Sequence, residues 1–215
     1  MKLFEVITNF KLKGPRKYIH SSTLCEFIVI SWCNFSSENL LNVNFSINMH
    51  HEAKTNGKLI FYKKKHKVKE IGAACEAEII VNNKVVCYCY FVEGNFIPAM
   101  EPSPIYEVSH FESFSDFSGI CFLGTNSPLE LLENVIEANK RLHLMSLDVG
   151  TYNVINMYMT TFPFSILKFG GMQKLIINNK RKRFQFDGIA TISDFFFETL
   201  PKHKFQISFF AKKVI

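Results

Sequence analysis

The stretch SPLELLENVIEANKRLH, Ser127 to His143, constrains the fold more than any other part of the chain. Ser127 stands where an N-cap belongs, Pro128 fits the first helical position, and Glu130 completes an S-x-x-E capping box. Each satisfies or dispenses with amides that a helix start leaves orphaned. The spacing predicts a helix over residues 127–144. At about 100° per residue, Leu129, Leu131, Leu132, Val135, Ile136 and Leu142 fill one broad arc that needs a sheet to bury it. Asn139 and His143 fall inside that arc. A buried amide must find hydrogen bonds or carry a desolvation penalty, and pairing with sheet backbone is the common outcome. Glu133 lies at the margin of the arc, with Glu137 one turn on and Arg141 four residues beyond that. Helix geometry leaves Glu133 open to two readings: a flank charge in solvent, or a carboxylate facing a groove.

The rest of the chain reads mainly as strands. It has 215 residues, 47% of them apolar, enough for one large domain or two small ones. Twenty-three phenylalanines and short Ile/Val runs favour sheet over a helical bundle. Strands are predicted at Tyr18–Trp32, Leu40–Met49 and Leu59–Lys65, with EAKTNGK as a polar turn before the third. Ala73–Phe91 reads as a hairpin turning at Asn82-Asn83. Three prolines between Glu93 and Pro104 predict a linker that cannot continue a sheet, and Phe111–Gly124 reads as irregular. After the helix come strand-like runs at Tyr152–Thr161, Ile166–Ile177, Phe184–Ile192 and Phe205–Ala211. IIVNNK at Ile79–Lys84 and LIINNK at Leu175–Lys180 lie 96 residues apart, a hint of two related halves. The expected division is 1–102, mainly strands, and 103–215, helix first and then sheet.

No apolar run reaches the length of a membrane span, and the N-terminus lacks the pattern of a signal peptide, so the expected compartment is the cytoplasm. The six cysteines form neither CxxC nor a Cys/His pair at zinc spacing, so reduced buried thiols are expected and no metal or cofactor is implied. The net charge of +6 is concentrated in KKKHKVK and KRKR. Lys63, Lys64, Lys65, Lys67, Lys180, Arg181, Lys182 and Arg183 are either solvated strand ends or the footing for an acidic partner. Nucleic acid is the weaker partner, since neither run is interleaved with an aromatic platform.

LLENVIEAN, Leu131–Asn139, resembles the helix of the A-factor biosynthesis hotdog family and that of the 3-hydroxyacyl-carrier-protein dehydratases, with Glu133 at the family glutamate. EAEIIVNNKVVCYCYF resembles the dehydratases' closing hairpin. YIHSSTLCEFIVISW resembles the opening of the A-factor family's first hotdog, and SPIYEV the linker into its second. The resemblance implies an α+β double hotdog, an antiparallel sheet wrapped around a central helix at 127–144, with a degenerate first copy. It also implies work on acyl thioesters of an acyl carrier protein or CoA, by a transferase, thioesterase or dehydratase-like enzyme.

The family histidine is absent. The position fourteen residues before Glu133 holds Gly119, and no histidine lies between His110 and Glu133. Dehydration needs a base and an acid, so half of the pair is missing unless His20, His50 or His51 supplies it. A lone glutamate can still activate water or attack a thioester carbonyl while a helix N-terminus polarises the oxygen. On this reading Glu133 is the catalytic residue, and Gly124, Asn126, Ser127 and Asn139 position the substrate. The alternatives are a catalytically silent hotdog that binds an acyl chain or a protein, and a basic nucleic-acid-binding β domain. A homodimer is compatible with each.

Overall fold

The computed structural model describes residues 1–14, 17–102, 106–115, 117–124, 126–147, 152–162, 170–185 and 187–213. The chain divides into two compact units, Met1–Ile105 with 164–166, and Tyr106–Pro163 with 167–215.

The first unit contains β1 (Lys2–Ile7), β2 (Lys11–Lys13), α1 (Ser21–Ser36), β3 (Val43–Met49), β4 (Asn56–Tyr62), the single turn α2 (Val68–Ile71), β5 (Cys75–Val81), β6 (Lys84–Phe96) and β7 (Ala99–Glu101). Its main sheet is antiparallel in the order β1-β4-β6-β5-β3. The β5–β6 hairpin turns at Asn82 and Asn83, both at positive φ (51° and 60°), the conformation a two-residue turn demands and Asn tolerates.

Three expectations about this half are corrected. Tyr18–Trp32 is not a strand, because Ser21–Ser36 is helical. Its β-branched run FIVIS favours a strand locally, but the buried positions Leu24, Cys25, Ile28, Val29 and Trp32 recur with helical period and pack on the sheet. Phe4 stacks between Phe35 of this helix and Phe61 of β4, at 4.1 and 4.2 Å, which fixes the helix C-terminal end on the sheet. Asn56 does not sit in a solvated turn. It is buried at the start of β4, where its carboxamide accepts from the Phe10 amide (2.6 Å) and donates to the Phe10 carbonyl (3.2 Å). The segment after Glu93 does continue in sheet: β6 runs to Phe96, and β7 pairs in parallel with β2. Pro98 and Pro102 flank β7 rather than interrupt it, so no ladder amide is lost.

The second unit contains β8 (Val108–Ser115), β9 (Ser118–Gly124), α3 (Pro128–Ser146), β10 (Tyr152–Phe162), β11 (Met172–Gln185), β12 (Gly188–Phe197) and β13 (Phe205–Lys213). Its sheet is antiparallel in the order β10-β13-β12-β11-β9-β8. The helix begins where the sequence predicts, with the Ser127 hydroxyl accepting from the Glu130 amide at 3.2 Å. Phe111–Gly124 is not irregular but the β8–β9 hairpin, closed by Phe117 at φ 63°. A serine-rich strand lacks the apolar alternation that signals sheet, which hid it. Of the four predicted strands, Tyr152–Thr161 falls on β10 and Phe205–Ala211 on β13, Phe184–Ile192 is corrected because it straddles the turn from β11 to β12, and of the run Ile166–Ile177 residues 172–177 are in β11 while 166–169 lie outside the described residues. The repeated hexapeptide has two fates: Asn82-Asn83 turns, whereas Asn178-Asn179 stay in β11 and are followed by a bulge before Arg181.

The helix α3 lies on the face of the sheet formed by Cys121, Leu123, Leu175, Ile177, Phe195, Ile207 and Phe209, all buried. Its direction is fixed at two levels. Leu142 packs on Gly119, where an added Cβ would lie 3.2 Å from the Leu142 side chain, and Asn134 donates to the Gly124 carbonyl at 3.1 Å. The helix therefore runs antiparallel to β9.

Candidate functional site

The start of α3 gathers three of the residues named from the sequence. Gly124 carries no side chain because the Glu107 side chain occupies the space a Cβ would take. Asn126 donates to Glu107 Oε2 and to Glu130 Oε1, both at 3.2 Å, and Ser127 caps the helix. Two carboxylates thus lie against the positive end of the α3 dipole, a favourable placement for them. They also place negative charge where a thioester oxyanion would have to develop.

Glu133 is half-buried, one turn before Glu137, whose carboxylate accepts from Arg141 Nε at 3.1 Å. Arg141 also donates to the Val108 carbonyl at 3.2 Å, so this flank of α3 runs along the edge strand β8. His110, also on β8, does not complete a pair with Glu133. Its ring packs edge-on against Phe122 (5.9 Å), which points away from α3 because its neighbours Cys121 and Leu123 point toward it. His110, Ser109, Phe122 and Met172 instead line a hollow of about 480 Å³ on that outer face. The other candidate histidines belong to the first unit: His20 is buried beside the Ser22 hydroxyl at 2.7 Å, and His51 lies 3.6 Å from Glu93.

Asn139 is not brought to the start of the helix. It is completely buried on the core side of α3, and neither atom of its carboxamide has a hydrogen-bond partner among the described residues. One turn on, His143 is also completely buried. Its Nδ1 lies 2.7 Å from the Asn139 carbonyl and its Nε2 2.6 Å from Thr191 Oγ1. The rings of Phe117 and Phe209 flank it at 4.8 and 5.2 Å. Burial pulls its pKa down to about 4, so the imidazole is neutral at pH 7. A carbonyl can only accept, so Nδ1 carries the proton and Thr191 donates to Nε2.

Nothing in the sequence marks Asn134. It is buried next to Glu133, accepting from the Glu107 amide at 3.0 Å and donating to Gly124. A helix position outside the predicted stripe looks solvated, and only the neighbouring hairpin shows otherwise.

Solved structures share the fold of this chain. A protein of unknown function with hot dog fold from Alicyclobacillus acidocaldarius matches 100% of this chain and 96% of its own, with TM-score 0.54 and 6% identity. The chain has the hotdog fold. A provisionally assigned oleoyl thioesterase from Lactobacillus plantarum matches 99% of this chain and 96% of its own, with TM-score 0.51 and 8% identity. No family model and no curated protein sequence matches the chain. The likeness is therefore one of fold.

In the first unit, a cleft of about 450 Å³ lies beside the N-terminal half of α1. Phe10, Phe27 and Ile30 contribute apolar walls, Lys11, Lys13, Glu26 and Glu101 charged groups, and Thr23 also lines it. The Thr23 hydroxyl is buried and has no hydrogen-bond partner among the described residues.

The basic residues are unequally free to meet a partner. Lys65 reaches Glu78 and Lys67 reaches Glu70, both at 3.3 Å, Lys180 lies 3.5 Å from Asp194, and Lys182 covers the rings of Phe117 and Phe184. Lys64, Arg181 and Arg183 are exposed. The first run is also anchored by an aromatic cluster that the sequence reading missed. The buried Tyr90 hydroxyl accepts from the His66 amide (2.8 Å) and donates to the His66 carbonyl (2.9 Å), while the Tyr62 ring lies 4.3 Å from that of His66. Tyr90→Phe is expected to cost about 1–2 kcal/mol, because two backbone groups lose one shared partner. Faster amide hydrogen exchange at His66 is its local signature, and unchanged exchange there would show that the hydroxyl does not hold the loop.

Proposed function

We propose that the chain handles acyl thioesters, with the acyl group in the cleft beside α1. The cleft carries this reading. An acyl chain needs apolar walls, and the cleft offers Phe10, Phe27 and Ile30. Its volume lies within the range of small-molecule sites. Lys11 and Lys13 suit the phosphate of a CoA or carrier-linked thioester, and Lys63, Lys64, Arg181 and Arg183 suit an acidic carrier protein.

Glu133 is our choice for the chemistry. It belongs to the second unit and is a reading apart from the cleft beside α1: as a base it would take a proton from water, the hydroxide would add to the carbon of a thioester held at α3, and the thiolate would leave and be protonated by solvent. The second reading is a silent hotdog that binds without turnover. The carboxylates of Glu107 and Glu130 at the start of α3 favour it, since they oppose an oxyanion there.

Panels of acyl-CoA and acyl-carrier-protein substrates separate the readings by binding and by thiol release. Release should fall about a hundredfold in Glu133→Gln, while Phe27→Asp should abolish binding. Binding with release that ignores Glu133 leaves the silent reading, and a wild-type protein that binds neither class of thioester removes the proposal.

A further inference from the structure

We infer an internal water-binding site between α3 and β12, formed by Asn139 and Ser193. Both residues are completely buried. The Asn139 Nδ2, the Asn139 Oδ1 and the Ser193 Oγ all lack a hydrogen-bond partner among the described residues. The inference is independent of any thioester chemistry.

The two side chains come together through the register of helix and strand. The hydrogen bond from Thr191 to His143 places these two residues side by side. Asn139 lies four residues, just over one helical turn, from His143, about 6.0 Å toward the start of α3. Ser193 is the next residue of β12 on the face of Thr191, about 6.6 Å along the strand. The direction of each step follows from the topology. β9 runs from the level of Leu142, at Gly119, to the level of Asn134, at Gly124. β11 is antiparallel to both β9 and β12, so β12 runs the same way as β9. Moving from Thr191 to Ser193 thus goes toward the start of α3, as does moving from His143 to Asn139. The two steps match in direction and nearly in length.

The ligand must be small, because aromatic and aliphatic side chains such as Phe195 and Ile207, both buried, pack this face. It must also donate and accept, since a carboxamide presents both functions and a hydroxyl takes either role. Water meets both conditions, and sites with two to four polar partners are where buried water resides. Thr191 adds a further acceptor: its proton is committed to His143, which leaves its oxygen lone pairs free to receive one from the water. Asn139 is then a residue that holds the helix on its sheet through solvent and does not position substrate.

Water-oxygen relaxation dispersion on the intact chain counts long-lived internal waters. Wild type should show one or two more than the Asn139→Leu/Ser193→Ala double variant, and a crystal structure of wild type should show density bridging the two side chains. An unchanged count in a folded double variant overturns the site. So does a crystal structure in which Asn139 bonds directly to Ser193 or to backbone. Should the double variant not fold, Ser193→Ala alone and the wild-type density decide the question on the same criteria.

Discussion

Lowering the pH from 7 to 4 is expected to destabilise the chain by about 3 kcal/mol through His143 alone. Burial holds the folded-state pKa at about 4, against an ordinary value of 6.5 that the unfolded chain recovers. Between those values the unfolded state binds the proton and the folded state does not. Stability is therefore complete above pH 6.5, falls as the pH drops through the window, and levels off below pH 4. Each pH unit of that window contributes at most about 1.4 kcal/mol, and the flattening near its two ends brings the total to about 3 kcal/mol. Protonation is disfavoured by burial, and the bond from Nδ1 to the Asn139 carbonyl, which favours the charged ring, offsets only part of that. A protonated Nε2 would face a hydroxyl that must turn its proton away. Urea titrations at pH 7.5, 6, 5 and 4 measure the slope, and His143→Gln should remove most of the loss between pH 6.5 and 4. Equal slopes in wild type and variant would mean that the imidazole is solvated.

The same helix shows how far the sequence could be read. Its start was legible because Ser127, Pro128 and Glu130 act through local bonds, and local bonds are written in adjacent residues. The apolar stripe was legible too, since Leu131, Leu132, Val135, Ile136 and Leu142 are all buried. By contrast, α1 reads as a strand, because FIVIS has strand propensity and only a sheet distant in sequence turns it into a buried helix. The positions of Asn126 and Glu107 were hidden for the same reason. Their contact joins residues 19 apart, and no periodicity reports it. Charge was legible as a run and not as a surface, since which lysines are engaged depends on Glu70, Glu78 and Asp194 across turns and strands.

Asn134→Leu is expected to destabilise the chain by about 3–4 kcal/mol, whereas Glu133→Gln beside it should stay within about 0.5 kcal/mol. Leucine keeps the branched four-atom skeleton of asparagine but is bulkier, so part of the loss is steric. It cannot replace the acceptor for the Glu107 amide or the donor for the Gly124 carbonyl, and both backbone groups would be left unpaired in a buried place. The damage should be local at first. Glu107 and Gly124 are bonded to each other at the open end of the β8–β9 hairpin, so amide exchange should rise at Glu107 and along that edge before the sheet melts as a whole. Asn134→Asp tests the geometry further: its carboxylate can accept from Glu107 but then faces the Gly124 carbonyl without a proton, so it should recover less than half of the loss. Urea unfolding of the three variants against wild type orders them, and a loss in Asn134→Leu no larger than that in Glu133→Gln would sink the assignment. If the expected order holds, Asn134 fastens the hairpin to the helix, and its neighbour Glu133 carries little of the folding energy.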